Sequence, residues 1–259
     1  MATQQADRAT PAAGGTVDPD EIETFSAVAD RWWDRNGPFR PLHRLNPIRL
    51  SYLRDSLAGH FDRDTAEERP LSGLAIADVG CGGGLITEPL ARLGATMTGI
   101  DASDEAIAVA RAHAGTSGLA IDYRASTVEQ LADGGTAFDA VVALEIVEHV
   151  ADRAAFIAAF CRCVRPGGLI ILSTLNRTAR SFALGIVGAE YVLRWVPRGT
   201  HTWLKFVKPS ELARDLRASG ASVEDVTGLV FNPLNNRWHL GRDIAVNYML
   251  RARLPESAG

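Results

Sequence analysis

The chain has 259 residues, 46% hydrophobic and 22% charged, with a formal net charge of −4. That length favours one domain with insertions over two, and the apolar share supports a sizeable core. The mild negative charge excludes a bulk basic field for nucleic acid, and no run reaches the roughly 18 apolar residues of a membrane span.

Residues 1–17 are rich in Ala, Gly, Thr and Gln, carry only Arg8 as a basic residue, and read as a disordered tail without a signal-peptide pattern. A single domain, residues 18–259, is expected after it, opening with a helical lid over residues 18–60. Asp18 to Asp34 has Phe25, Val28 and Trp32 at helical spacing, with Ala29 and Trp33 alongside, which suits either a packing helix or a substrate lid. Pro38, Pro41 and Pro47 predict a loop, and Asn46-Pro47 predicts a new helix with Asn as N-cap and Pro at its first position. Arg49 would then lie in the first helical turn, where the dipole disfavours a cation unless an external anion sits nearby. His60 to Ser72 is charged, contains Pro70, and reads as a linker.

The most informative stretch follows. Leu74 to Val79 reads as a buried strand, Leu85 to Leu93 as a helix, and Ala95 to Ile100 as a second strand closed by Asp101. Between strand and helix lies Asp78-Val79-Gly80-Cys81-Gly82-Gly83-Gly84. Glycines let a backbone approach a ligand closely, a helix start offers free N–H groups, and Asp101 stands where an acid accepts hydrogen bonds from ribose hydroxyls. The dinucleotide spacing G-x-G-x-x-G fails, because Leu85 or Thr87 occupies the third glycine position. The phosphate-loop pattern fails as well, since no Lys or Arg follows before Arg92. A cofactor carrying an ammonium, a carboxylate and a sulfonium needs no pyrophosphate cradle, and Asp78 before the glycines suits its cationic groups. The run Asp78-x-Gly80-x-Gly82-x-Gly84 resembles motif I of the Rossmann-like class I S-adenosylmethionine (SAM) methyltransferases. This implies an α/β fold with a seven-stranded, mostly parallel sheet and helices on both faces.

The remaining elements agree with it. Ser103 caps a helix to Ala114, Leu119 to Tyr123 and Phe138 to Leu144 are strands three and four, and Asp152 starts a helix to Val164. Arg165-Pro166-Gly167-Gly168 turns into strand five, Leu169 to Ser173, and Val223 to Val230 with Ala245 to Arg251 complete the sheet. Residues 176–208 are too long for a plain turn and read as an insertion. Within it, residues 181–196 are apolar apart from Glu190 and Arg194 and lie between basic flanks, which suits a helix in a membrane interface or a cap over the site. Cys81, Cys161 and Cys163 lack metal-ligand spacing, so they point to a reducing, cytoplasmic setting.

The resemblance narrows beyond the superfamily. Phe25-Ser26 to Trp32-Trp33-Asp34, Pro41-Leu42-His43, Asn46-Pro47-Ile48-Arg49-Leu50, Glu145-Ile146-Val147-Glu148-His149-Val150 and Ser173-Thr174-Leu175-Asn176-Arg177 are similar to signatures of the ubiquinone-biosynthesis O-methyltransferases. So are Val187 to Tyr191, Gly199-Thr200-His201, Gly228-Leu229 with Asn232-Pro233, and Val246 to Leu250, so that the likeness runs from about Glu21 to Arg251. It implies SAM-dependent O-methylation of polyprenylated phenol and quinol intermediates at both methylation steps of that pathway. Other pathway enzymes are implied as partners, with peripheral contact to the inner membrane surface. Carried over by motif, Arg49, Gly80, Asp101 and Leu144 contact SAM, Leu144 standing where many members have Met. Asp78 and Gly82 belong to the same cofactor turn.

Methyl transfer to a phenol, whose pKa is about 10, requires removal of its proton or stabilisation of the phenolate. Glu145, Glu148 and His149 share one face if their stretch is helical, after strand four, where open α/β sheets bind ligands. His149 then serves as general base, or the three residues hold Mg²⁺, as the resemblance implies for Glu-x-x-Glu-His. His201 is a second candidate for orienting substrate, and His43, His60, His113 and His239 read as surface or packing residues. The rival functions are an O-methyltransferase for a small soluble phenol and a non-catalytic SAM-binding scaffold.

Overall fold

The computed structural model describes residues 15–182 and 203–256. Its strands are β1 (Ala75–Val79), β2 (Thr96–Asp101), β3 (Asp122–Ala125), β4 (Phe138–Leu144), β5 (Val164–Leu175), β6 (Ser222–Asn232), β7 (Arg237–Gly241) and β8 (Asn247–Arg253). They form one sheet in the order β3-β2-β1-β4-β5-β8-β6-β7. The first five are parallel, and β8 runs antiparallel to both β5 and β6. The sheet has eight strands where seven were expected. The extra one is β7, whose residues Arg237 to Gly241 alternate without an apolar run and pair only with β6 at the edge.

The helices are α1 (Pro19–Ser26), α2 (Arg40–His60), α3 (Thr87–Arg92), α4 (Asp104–Thr116), α5 (Val128–Asp133), α6 (Arg153–Arg162), α7 (Ala179–Ser181) and α8 (Pro209–Ala218). Strand side chains alternate between faces, so Val141, Ile170 and Leu250 join the α6 and α8 residues Phe160, Leu212 and Leu216 in one core. Their neighbours Val142, Ile171 and Met249 join Leu53, Leu57 and Leu90 of α2 and α3 in the other. Period-2 patterning on the strands thus places one apolar layer on each side of the sheet. Cys81, Cys161 and Cys163 are all buried and unpaired.

Two expectations about the N-terminal region need correction. The second helix does not begin at Asn46-Pro47 but at Arg40, with Pro41 inside its first turn and Pro47 within the helix. A first-turn proline is tolerated because that N–H has no helical partner, and Pro47 removes one interior hydrogen bond, to the carbonyl of His43. The packing of Leu45, Leu53 and Leu57 on the sheet offsets that loss. Likewise the expected helix from Asp18 to Asp34 stops at Ser26 and resumes as a single tight turn, Ala29–Arg31.

That break lets the two tryptophans descend onto the glycine turn. Trp33 donates its indole N–H to the carbonyl of Gly83 at 2.9 Å and stacks on His113 with ring centroids 3.4 Å apart. Trp32 lies against Gly82 and Gly83 and stacks on Phe39. The segment is pinned further back as well: Val17 bridges Val150, the Ala151 N–H donates to the Thr16 carbonyl, and the Thr16 hydroxyl donates to Glu129 at 2.6 Å. Order therefore reaches into the expected tail, since Thr16 is buried; residues 1–14 lie outside the described residues.

A Cβ on Gly83 would stand 2.5 Å from the Trp32 Cβ. Gly83→Ala is therefore expected to push Trp32 off the turn at a cost of about 1–3 kcal/mol. Limited proteolysis should then cut between α1 and α2 faster than in the wild type. Unchanged cleavage there would show that the contact is not what holds the segment.

Candidate functional site

Because β1, β2, β4 and β5 are parallel, their carboxyl ends share one edge of the sheet, and the start of β8 joins them there by pairing Asn247 with Leu175. The N-terminal segment and α2 lie across that edge. Between them is a cavity of about 910 Å³. Arg49, Asp78, Gly80, Gly82, Asp101, Leu144, Glu145, Glu148 and His149 all line it. The nine residues singled out from sequence are thus brought to one place.

The glycine turn is built around the end of β2. The N–H groups of Gly80 and Cys81 both donate to the Ile100 carbonyl, which requires left-handed backbone at Gly80 (φ +73°). Asp101 holds the two loops together, accepting from the Gly82 N–H on one oxygen and the Ser103 N–H on the other, each at 2.9 Å. Burial raises its pKa, against those backbone donors, which favour the charged form. Asp78 is buried and accepts the Thr87 hydroxyl at 2.6 Å. Burial pushes its pKa up to about 7, with Asp101 adding to the rise and the Thr87 hydroxyl opposing it.

Arg49 is not in a first helical turn. It lies in the interior of α2, buried, with Nη2 2.5 Å from Glu145 Oε1. The anion that explains this cation is internal. The pair is aligned too poorly for a hydrogen bond, and the buried Nε also has no partner.

Residues 145–149 do not continue a helix. β4 ends at Leu144, Glu145 adopts left-handed backbone (φ +57°), and a turn follows in which the His149 N–H donates to the Ile146 carbonyl. The three chemistry-bearing side chains therefore diverge. Glu145 accepts the Ser173 hydroxyl at 2.8 Å and faces Asn247 and Arg49. Glu148, buried, accepts the Thr174 hydroxyl at 2.8 Å, and burial followed by the charge of Glu145 raises its pKa. His149 turns its Nδ1 to Glu21 of α1 at 3.1 Å. Burial disfavours charge on His149, but the hydrogen bond to Glu21 and the charges of Glu148, Glu21 and Glu145 outweigh it and raise its pKa. Glu21 is lowered to about 2 by His149 first, against burial, with Lys205 assisting.

Among the described residues no group of three His, Cys, Asp or Glu side chains is placed to hold a metal ion. Glu145, Glu148 and His149 do not fit the expected Mg²⁺ site, because each is turned to a separate partner. Glu21 went unnoticed in the sequence: an acid on a helix about 130 residues away gives no local signal. Ser173, Thr174 and Asn247 stand inside stretches that resemble the family, but only the fold shows what they touch. His201 and residues 183–196 of the expected interfacial segment lie outside the described residues. Among those described, no helix is long and apolar enough to cross a membrane.

The fold and glycine turn define a Rossmann-like class I SAM-dependent methyltransferase. A methyltransferase-domain family model matches residues 77–172. Magnesium protoporphyrin IX methyltransferase from Synechocystis PCC 6803, solved with bound SAM, is similar in fold, with a TM-score of 0.60 and 17% identity, covering 93% of this chain and 99% of that one. Similarity over nearly full length is much higher to the ubiquinone biosynthesis O-methyltransferases of Methylobacterium nodulans and Rhizobium leguminosarum bv. trifolii. The first is 52% identical over 242 residues, covering 93% of this chain and 97% of its own. The second is 52% identical over 244 residues, covering 94% and 97%. The chain belongs to the ubiquinone biosynthesis O-methyltransferase family.

Removing Arg49 would strand Glu145 beside a buried helix face. Arg49→Leu is expected to destabilise the protein by roughly 3 kcal/mol, since breaking one side of a buried pair leaves the other uncompensated. Urea unfolding measures this, and a change below about 1 kcal/mol would mean the pair is solvated like a surface bridge.

Proposed function

We propose that this cavity methylates a ring hydroxyl of a polyprenylated catechol or phenol in ubiquinone biosynthesis, with SAM as methyl donor. The observation that carries this reading is that the cofactor turn and the Glu145–His149 turn open into one cavity. The residues fit the cofactor. Asp101 lines the cavity where ribose hydroxyls would donate to it, and the orphaned Nε of buried Arg49 suits a carboxylate. Asp78 suits the ammonium end, and Leu144 gives an apolar wall.

When bound, SAM supplies an electrophilic methyl group on a sulfonium. The chain's own task is to orient the ring oxygen and take its proton. With the Nδ1 proton of His149 directed at the Glu21 carboxylate, Nε2 carries the free lone pair and acts as general base. Glu21 is a positioning residue, supplied by the N-terminal segment. We assign that segment the role of a lid: once in place it both covers the cavity and completes the base.

Labelled SAM with a prenylated catechol tests the reading directly, and absence of methyl transfer to any catechol would overturn it. Asp101→Ala is expected to weaken SAM by about 10–150-fold, the equivalent of roughly 1.5–3 kcal/mol of charged hydrogen bonding. The raised pKa of Asp78 adds a pH effect. A cationic ligand favours the ionised carboxylate, so binding expels the proton that the empty pocket retains near pH 7. Affinity should therefore rise with pH, roughly eightfold between about pH 6 and 7.5, and calorimetry in two buffers should show proton release. A pH-independent affinity would exclude Asp78 from that contact.

His149→Ala should lower kcat by about 10²–10⁴-fold. Glu21→Ala should lower kcat with little change in KM for SAM, and Glu21→Asp should recover part of it. A Glu21→Ala variant with wild-type kcat would remove Glu21 from the mechanism.

A further inference from the structure

The cofactor turn and the acid–histidine turn occupy only part of the cavity. The lining also includes Leu42 and Leu45 from the first half of α2, where Asn46 and Arg49 are the polar members, and Leu229, Phe231, Pro233 and Trp238 from the β6–β7 hairpin. Leu42, Leu45, Leu229, Phe231, Pro233 and Trp238 carry neither a charge nor a side-chain oxygen. Phe231 and Trp238 lie across the hairpin from each other, with ring centroids 5.2 Å apart. β6 runs in the direction of β5, so its end at Asn232 reaches the same edge of the sheet as the reactive turns, and the hairpin projects beyond that edge. At the tip, Leu234 is 96% exposed. The Arg44 guanidinium of α2 donates to Asn236, joining the two walls at the rim.

We propose that this α2–hairpin groove is the binding site for the isoprenoid chain of the substrate, running from the reacting ring past Phe231 and Trp238 and leaving the protein at Leu234. The proposal rests on the O-methyltransferase reading for the identity of the occupant. Its warrant is continuity: the apolar walls belong to the same cavity as the acid–histidine turn, so a ring held there must direct its substituent along them. An isoprene unit is branched, apolar and unable to donate or accept a conventional hydrogen bond. Aliphatic and aromatic walls are what it requires, and fixed polar groups are what would reject it. Long tails exceed any cavity of this size, and an exposed Leu at the exit gives the emerging chain an apolar step toward lipid. The edge strand β7, which pairs with β6, thereby acquires a purpose: it stiffens one wall of the groove.

Two measurements on the full chain test this. The first compares kcat/KM for a farnesylated catechol and the same catechol without the tail. In a Phe231→Ala/Trp238→Ala variant the ratio of the two is expected to fall roughly 10–200-fold, the range over which apolar pockets discriminate. An equal loss on both substrates, or no loss, would overturn the groove. The second needs no turnover. A farnesyl catechol carrying a diazirine at the tail end is irradiated with the protein, and the labelled peptides are mapped by mass spectrometry. Labels on residues 40–49 and 229–238 support the groove; labels confined to residues 183–202 or elsewhere overturn it. Labelling in the groove by a wild-type protein that methylates neither catechol would keep the isoprenoid site and remove the proposed reaction, so the two failures are told apart.

Discussion

The contact between Arg49 and Glu145 organises the site. A guanidinium in the interior of α2 is tolerable among Leu45, Leu53 and the sheet only because a carboxylate stands 2.5 Å away at the end of β4. Glu145 leaves the strand in left-handed backbone, and residues 146–149 form a turn instead of a helix. The same contact holds α2 over the carboxyl ends of the strands. The helix is also fixed to the sheet by the packing of Leu45, Leu53 and Leu57 and by the Tyr52 hydroxyl, which donates to Asp225 at 2.7 Å.

The glycine turn carries a second constraint. Its glycines are usually read as making room for a cofactor, yet here side chains of the protein also claim that space. Trp32 lies on Gly82 and Gly83, and Ile146 of the reactive turn lies on Gly80. Absence of a Cβ thus serves three parties at once: the ligand, the N-terminal segment and the turn after β4. Position of the N-terminal segment, shape of the cofactor turn and placement of the acid–histidine turn meet at one short stretch of backbone.

The central α/β unit was legible because its signals are local. β4 was read to the residue, the Ser103 and Asp152 caps are where short polar side chains precede apolar runs, and Asp101 closes β2. The failures also have physical causes. Prolines at 41 and 47 were read as breaking the chain, but the first occupies a turn that needs no N–H and the second is outweighed by packing. Spacing i, i+3, i+4 at Glu145, Glu148 and His149 implies a shared face only in a helix, and the chain there takes left-handed backbone at Glu145 and then a turn. β7 has no periodic apolar signal because it lies at an edge. Glu21 meets His149 only through the fold, so no local pattern reveals it.

The electrostatics suit a reaction that moves a positive charge without creating one. Asp78, Asp101 and Glu148 all have raised pKa values, with burial as the first cause in each, so the pocket is poised to favour a cation. A sulfonium satisfies that preference in the proposed ground state. In the proposed reaction methyl transfer would leave a neutral thioether, and the proton of the phenol would pass to His149, beside Glu21, Glu148 and Glu145, whose charges raise its pKa. The net charge in the cavity is therefore constant through the step, while its location shifts from the cofactor side to the histidine. Acids that attract the donor before transfer lose that attraction for the product after it, and the acids around His149 gain a partner. Attraction between Asp78 or Asp101 and the sulfonium tightens the ground-state complex, whereas the acids around His149 act on a charge that develops only as the proton moves, so only the latter interaction can accelerate the proposed step.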